Sequence, residues 1–332
     1  MFFLALETSC DETAAAIFDE ELRVHANVVA SQLALHARFG GVVPEVAARA
    51  HLTQLLPVVE AALGQAGIRL ADLGAIAVMN RPGLVGALLV AVSAAKMLAL
   101  ALDLPLIDVN HIEAHIYACR LAAGRDIFPC LGLVVSGGHT TLFDCASPLA
   151  FRIVGRTIDD AAGEAFDKVA ALLGLGFPGG PAVEQAARGG NPDAYALPRS
   201  FLHEDRLDFS FSGLKTAVRY LIRDLSGGTH VLTPAQTADV AASFQQAVVD
   251  VLTAKCRQAL RRSGATRLAV GGGVAANAAL RSALAAMVAE VGGELFIPPL
   301  ALCTDNAAMA AQAVEKWRAG LFAPLDLDAI AS

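Results

Sequence analysis

Two histidines stand four residues apart in the run His111-Ile112-Glu113-Ala114-His115. On a helix, residues i and i+4 stack on one face, so both imidazoles reach a single metal ion. The zinc-protease signature His-Glu-x-x-His carries its glutamate directly after the first histidine. Here Glu113 sits at i+2, about 200° round the helix from His111, and points away from a shared ion. The pair suggests metal binding without a built-in protease base, although two histidines on a polar surface satisfy the same spacing. A third candidate ligand lies far along the chain, in Cys303-Thr304-Asp305-Asn306-Ala307. Thr304 reads as an N-cap and Asp305 as an acidic first-turn residue, so Asp305 is either a metal ligand or part of a plain helix cap.

The elements around these residues repeat. His111 follows the apolar run Leu104 to Val109, which reads as a buried strand. Ahead of it stand a short strand, Ala75 to Met79, the turn Pro82-Gly83-Leu84-Val85-Gly86 and a helix to about Leu102. Later come the strand Arg267 to Val270, the loop Gly271-Gly272-Gly273, a helix to about Val291 and the strand Glu294 to Ile297. Strand, glycine loop, helix, strand suits a mostly parallel sheet with helices on its faces, and ligands bind beyond the carboxyl ends of such strands. His111 and His115 follow the first unit and Asp305 follows the second. A pseudo-twofold axis relating the halves would bring all three to one central cleft.

A second pair of copies offers anion chemistry. Leu4 to Phe18 and Leu131 to Phe143 each read as a strand, a tight turn of small and hydrogen-bonding residues, and a second strand. The turns are Thr8-Ser9-Cys10-Asp11-Glu12 and Ser136-Gly137-Gly138-His139. Such hairpin turns present backbone N–H groups and hydroxyls that can cradle phosphate. Either turn alone is a weak signal; its recurrence is a stronger one.

Composition bounds the rest. The 332 residues are 55% hydrophobic and 17% charged, with mean hydropathy +0.53, enough for two domains and a sizeable core. The apolar stretch from Gly83 to Leu102 holds Ser93 and Lys96, which favours a helix buried on both sides over a membrane span. The N-terminal apolar run meets Glu7, Asp11 and Glu12 at once, unlike a signal peptide. Six scattered cysteines without a C-x-x-C pair suit a reducing cytosol. A net charge of −7 gives no global attraction for nucleic acid, so RNA binding would need a local basic patch or a partner. Gly189 to Thr233 has little periodicity and reads as an insertion. Lys215 in its loop, and Lys255, Arg257, Arg261 and Arg262 on a helix from Ala235 to Ser263, are candidate phosphate contacts; on sequence alone a solvated face is the favoured explanation of the helix.

Taken together, the strings Glu7 to Thr13, Gly40 to Glu45, Pro82 to Gly86, His111 to His115, Val135 to Thr140, Asp159 to Lys168, Pro178 to Pro181, Asp208 to Thr216, Gly272-Gly273-Val274 with Asn277, and Cys303 to Asn306 resemble the bacterial tRNA N6-adenosine threonylcarbamoyltransferases from Leu4 to about Trp317. Asn80-Arg81 before Pro82, and Asn110 before His111, depart from the usual pattern without removing a proposed ligand.

The resemblance implies an α/β ASKHA fold, that of actin, sugar kinases and Hsp70 ATPase domains. Two duplicated domains are expected: residues 1–117 joined by a C-terminal helix 304–332, and residues 118–303 carrying the insertion at about 189–233. It implies transfer of threonylcarbamoyl from threonylcarbamoyl-AMP to N6 of adenosine 37, in tRNAs that read codons beginning with adenine, with release of AMP. One divalent metal, iron with zinc as the alternative, is expected on His111, His115 and Asp305. The adenylate is expected on Val134, Val135, Ser136, Gly137, Gly138, Asp167, Gly180 and Asn277. Asp11, Glu12 and His139 are candidates to accept the N6 proton. Implied partners are tRNA, a paralogous ASKHA subunit and a small P-loop ATPase, all cytoplasmic, with no membrane. An ASKHA phosphotransferase or ATPase is the alternative, supported by Asp11 and Glu12 beside a phosphate turn but leaving the histidine pair and Asp305 without a role. A metallopeptidase ranks behind it because of Glu113, and a scaffold that only binds nucleotide ranks last.

Overall fold

The computed structural model describes residues 1–331 and divides into two compact units. Unit 1 comprises Met1–Asp126, Ser147–Ala150 and the chain from Pro298 onward; unit 2 comprises Ile127–Ala146 and Phe151–Ile297. The expected boundary between residues 117 and 118 falls inside a helix, His111–Ala123, so the change of unit comes only after that helix has ended.

In unit 1 the order is β1 (Phe2–Glu7), β2 (Glu12–Asp19), β3 (Val24–Ser31), α1 (Leu33–Ala37), α2 (Pro44–Ala66), β4 (Leu73–Arg81), α3 (Val85–Leu102), β5 (Leu106–Asn110) and α4 (His111–Ala123). Unit 2 contributes β6 (Cys130–Val135), β7 (Thr140–Ser147), β8 (Ala150–Arg156), α5 (Ala162–Leu172), α6 (Gly179–Ala187), α7 (Ser212–Leu225), α8 (Pro234–Ser263), β9 (Arg267–Gly271), α9 (Ala278–Glu290) and β10 (Glu294–Phe296). α10 (Ala313–Arg318) returns to unit 1.

The sheets are copies of one plan. Sheet order is β3-β2-β1-β4-β5 in unit 1 and β10-β9-β6-β7-β8 in unit 2. β1 pairs antiparallel with β2 and parallel with β4, and β4 runs parallel to β5. Correspondingly, β6 pairs antiparallel with β7 and parallel with β9, and β9 runs parallel to β10. Each hairpin therefore points its turn past the carboxyl end of a parallel strand, where such sheets bind ligands.

Unit 1 is held by burial on both faces of its central strands. Leu4, Leu6, Ile17, Ile76 and Val78 pack with Leu55 and Val59 of α2 and Ala91 and Ala95 of α3. Full burial of a leucine or isoleucine stabilises by roughly 1.5–3 kcal/mol. The small residues of α3 allow it to lie close on β4 and α2. Its opposite face is open: Leu89, Met97 and Leu100 are exposed, Leu100 by 70%. The expectation of a helix buried on both sides is thus corrected to burial on one. α3 is long and apolar enough to cross a membrane, but its alanine face is packed here and Lys96 Nζ donates to Leu327 O at 2.8 Å.

The C-terminal part also differs from expectation. In place of a helix over 304–332, a 3-10 turn at Ala307–Gln312 leads into α10, and an irregular strap follows. Ala323 N donates to Leu106 O, and Asn80 Nδ2 donates to Asp328 O, which ties the strap to the ends of β5 and β4. The segment 189–233 is not unstructured. It contains α7, whose Leu214, Val218 and Ile222 recur at i+4 and are buried.

Candidate metal and nucleotide sites

The fold brings His111, His115 and Asp305 together within unit 1, although Asp305 is remote in sequence. Asn110 explains why α4 begins there: its side-chain oxygen accepts from Ile112 N at 2.9 Å and from Glu113 N at 3.4 Å, an N-cap that sets both histidines on one inward face. Asp305 Oδ1 lies 3.5 Å from His111 Nε2 and 3.4 Å from His115 Nε2. Atoms at this spacing can both sit about 2 Å from one ion. Thr304 does not cap a helix, because the turn after Asp305 begins with Asn306 at the cap position. This leaves the carboxylate of Asp305 facing the histidines.

The donor chemistry fits a metal. His115 is fully buried, and neither ring nitrogen completes a hydrogen bond, an arrangement that costs free energy unless something else takes a lone pair. Burial pushes His115 toward the neutral form that ligates, against the opposing pull of Asp305, and the neighbouring His111 adds to the downward shift. For His111, burial opposes the charged form, but Asp305 and then Glu7 outweigh it and lift it to about 9. Two imidazoles and a carboxylate suit iron(II) or zinc and leave coordination positions open.

Glu7 joins the histidine cluster in the fold, which the sequence did not reveal. It ends β1, is wholly buried, and its Oε2 lies 3.1 Å from His111 Nδ1; Ser9 Oγ lies 3.0 Å from the same nitrogen. Carboxylate-to-histidine support of this kind orients the ring and presents Nε2 to a metal. The available signal was a charged residue closing an otherwise apolar strand. Glu113 does turn away, toward Gln312 Nε2 at 3.5 Å.

The β1–β2 turn holds the other acidic candidates. Burial raises Asp11, and burial lifts Glu12 to about 7, with Asp11 and Asp305 adding repulsion. Glu12 Oε1 accepts from Ser31 Oγ at 2.8 Å, whereas its buried Oε2 has no hydrogen-bond partner. Beneath the turn, His51 Nδ1 meets Thr13 Oγ1 at 2.8 Å and His51 Nε2 reaches Cys10 O at 3.1 Å, which pins the loop to α2.

In unit 2, Val134 and Val135 end β6, and Ser136-Gly137-Gly138 form the turn. Ser136 N donates to His139 O at 2.8 Å, and Ser136 Oγ accepts from His139 N at 3.2 Å. Side chains at Gly137 or Gly138 would meet open space, so their backbone is accessible. Gly272, at φ +95°, is required for another reason: a Cβ there would strike the Val135 carbonyl. Asp167 Oδ1 accepts from Gly179 N at 2.7 Å, joining α5 to the start of α6. It is Gly179 whose Cβ would clash, against the Asp167 backbone, whereas Gly180 faces open space. Asn277 also has a structural role: its Oδ1 caps α9 through Leu280 N at 3.0 Å and its Nδ2 donates to Gln245 at 2.8 Å.

The basic candidates divide. Lys255 is buried, its Nζ donating to the carbonyls of Glu204 at 3.1 Å and Arg206 at 2.6 Å, so it anchors that loop and is removed from the set of RNA contacts. Arg257 pairs with Glu290, and Arg262 pairs with Asp205. Arg261 is exposed, and Lys215 lies half-buried on α7 rather than in a loop.

Comparison with known proteins gives this geometry a family. A Rhodopirellula baltica protein named tRNA N6-adenosine threonylcarbamoyltransferase is 53% identical, over 98% of this chain and 95% of its own length. One of the same name from Trichlorobacter lovleyi is 51% identical over 100% of this chain and 96% of its own. Among solved structures, full-length HypF in its phosphate- and nucleotide-bound form aligns with a TM-score of 0.63 at 15% identity, over 97% of this chain and 56% of that one. The component A of (R)-2-hydroxyglutaryl-CoA dehydratase from Acidaminococcus fermentans aligns at 0.56 and 14% identity, over 96% and 99%. These two share the ASKHA-type fold. The family model described as TsaD, tRNA N6-adenosine threonylcarbamoyltransferase, matches residues 23–312, and the chain belongs to that family.

Proposed function

We propose that this protein transfers the threonylcarbamoyl group from threonylcarbamoyl-AMP to N6 of adenosine 37 in tRNAs reading codons that begin with adenine. The observation that carries the reading is the buried set His111, His115 and Asp305, with both nitrogens of His115 unbonded, in a chain of this family. These three residues would hold one divalent ion, iron or alternatively zinc. When bound, the ion polarises the threonylcarbamoyl carbonyl.

The chain's own groups supply the rest. Backbone N–H groups of Gly137 and Gly138, with the Ser136 hydroxyl, would hold the phosphate of the adenylate, with Val134 and Val135 behind them and open approaches at Gly180 and Asp167. The N6 amine attacks the carbonyl, the C–N bond forms, the bond to the phosphate oxygen breaks, and AMP leaves. AMP is a good leaving group, so no enzyme nucleophile is required. Of Asp11, Glu12 and His139, Glu12 is best suited to take the N6 proton: its pKa of about 7 matches neutral conditions and its Oε2 has no partner.

The reading includes cytoplasmic partners: tRNA, a paralogous ASKHA subunit and a small P-loop ATPase. The net charge of −7 supports help in holding tRNA. Leu52 and Leu56 of α2, 68% and 60% exposed, and Leu89 and Leu100 of α3 support an apolar contact with a second subunit.

The test supplies threonine, bicarbonate, ATP, the adenylate-forming synthase, the partner subunits and unmodified tRNA. Threonylcarbamoyladenosine is expected among the nucleosides. Its absence with demonstrably active partners would overturn the reading.

A further inference from the structure

Beside the β6–β7 turn, unit 2 holds a cavity of about 420 Å³ whose lining residues Arg156, Thr157 and Ile158 have no role above. Gly138, His139 and Thr141 form one wall, and Arg156, Thr157 and Ile158 form the other. Both walls are firmly held. Thr157 N donates to Thr140 O at 2.9 Å. Behind them, Phe209 N donates to Arg156 O at 3.1 Å, Ile158 N donates to Phe209 O at 3.0 Å, and Asp208 Oδ1 accepts from Arg156 N at 3.2 Å. Gly155 lets this strand lie against Leu207, whose carbonyl any Cβ would strike.

The cavity has one strong recognition group. Arg156 is exposed, and among the described residues its guanidinium makes no ion pair within 4.0 Å. Of the nearby acids, Asp208 pairs with Arg206 at 2.9 Å and also feels the charge of Arg156, Asp159 holds the hydroxyls of Ser210 and Ser212, and Asp160 pairs with Lys168 at 2.8 Å. Two of the lining hydroxyls are also committed, Thr140 accepting from Ala162 N and Thr157 donating to Asp160 O. Ile158 adds an apolar surface that is 58% exposed. An exposed guanidinium without a close ion pair, beside an exposed aliphatic side chain, suits a phosphate joined to a base or sugar. The volume lies within the usual range for small-ligand pockets, and single-stranded RNA offers such units splayed out.

We infer that this cavity receives a nucleotide of the tRNA anticodon loop flanking the target adenosine, its phosphate on Arg156 and its base or sugar against Ile158. The inference rests on the proposed tRNA substrate. It adds a second contact class, because the turn at Ser136–Gly138 is assigned to the donor and Arg156 to the acceptor.

The experiment uses the full chain with its partner subunits and unmodified tRNA. Arg156→Ala should raise KM for tRNA about tenfold and leave kcat and KM for the adenylate unchanged. The slope of log binding constant against log salt, read by fluorescence anisotropy, should become shallower by about one. Arg156→Lys should recover most of the KM. Unchanged KM and salt slope in Arg156→Ala would overturn the inference, as would a rise in KM for the adenylate instead. A wild-type protein that binds tRNA but forms no modified nucleoside would count against the functional reading alone, since the anisotropy arm still decides the role of Arg156.

Discussion

The residue that most alters the picture of the metal set is Glu7, which lies against His111 Nδ1 although 104 positions separate them. Removing such a carboxylate partner typically costs 10–100-fold in metal affinity. Glu7→Gln should therefore weaken iron or zinc binding by about that factor in a calorimetric or competition titration, while His111→Ala and Asp305→Ala should lose the metal altogether by elemental analysis. Retained metal in either alanine variant would remove that residue from the ligand set. Glu12 makes a separate prediction. Its carboxyl titrates near 7 in the folded chain against an ordinary 4.5, so the folded state favours the protonated form. Its contribution to stability is full below about pH 4.5 and is lost as pH rises through about 7. Glu12→Gln should flatten the decline in melting temperature across that window and lower kcat without releasing metal. An unchanged slope would show that Glu12 is ionised throughout. The histidine pair was legible because i and i+4 is a local relation; Glu7 was not, because its partner is supplied only by folding.

At the scale of elements, the hairpin and the glycine loop were both readable as repeated patterns. The β6–β7 turn depends on close backbone packing at its base. Gly272 holds a left-handed conformation beneath the Val135 carbonyl. Gly272→Ala should destabilise the chain by more than about 1 kcal/mol, since strain and overlap act together, and should weaken adenylate binding in the same titrations; wild-type values for both would show that the loop yields. Helix α3 shows the limit of composition. Its apolar content matched a buried helix, yet Leu89 and Leu100 face outward while Leu88 and Ala91 face the sheet. Hydropathy cannot distinguish a helix covered by its own chain from one awaiting a partner, because both bury an apolar face in the end. Likewise, Lys255 read as part of a basic face, but its stem lies inside and its ammonium binds carbonyls contributed by the 200s loop.

At the scale of the molecule, the exposed apolar positions on α2 and α3 belong to unit 1. Leu100→Asp should abolish stable association with the paralogous subunit in size-exclusion chromatography while shifting stability by no more than about 0.5 kcal/mol, as for a surface site. An intact complex would move the interface elsewhere. The sequence by itself determined the two-fold repetition of strand, turn and helix, the α/β class, and the family, because these rest on local periodicity and on ordered motifs. It also determined which residue types are available for metal and phosphate. Tertiary structure alone decided where they sit: Glu7 and Ser9 behind His111, Asp305 facing the histidines rather than capping a helix, Asn277 at the cap of α9, and Arg156 without a close ion pair at a cavity. The physical reason is that each of these depends on a neighbour distant in sequence. Burial and hydrogen bonding are settled between side chains that only the completed fold brings together.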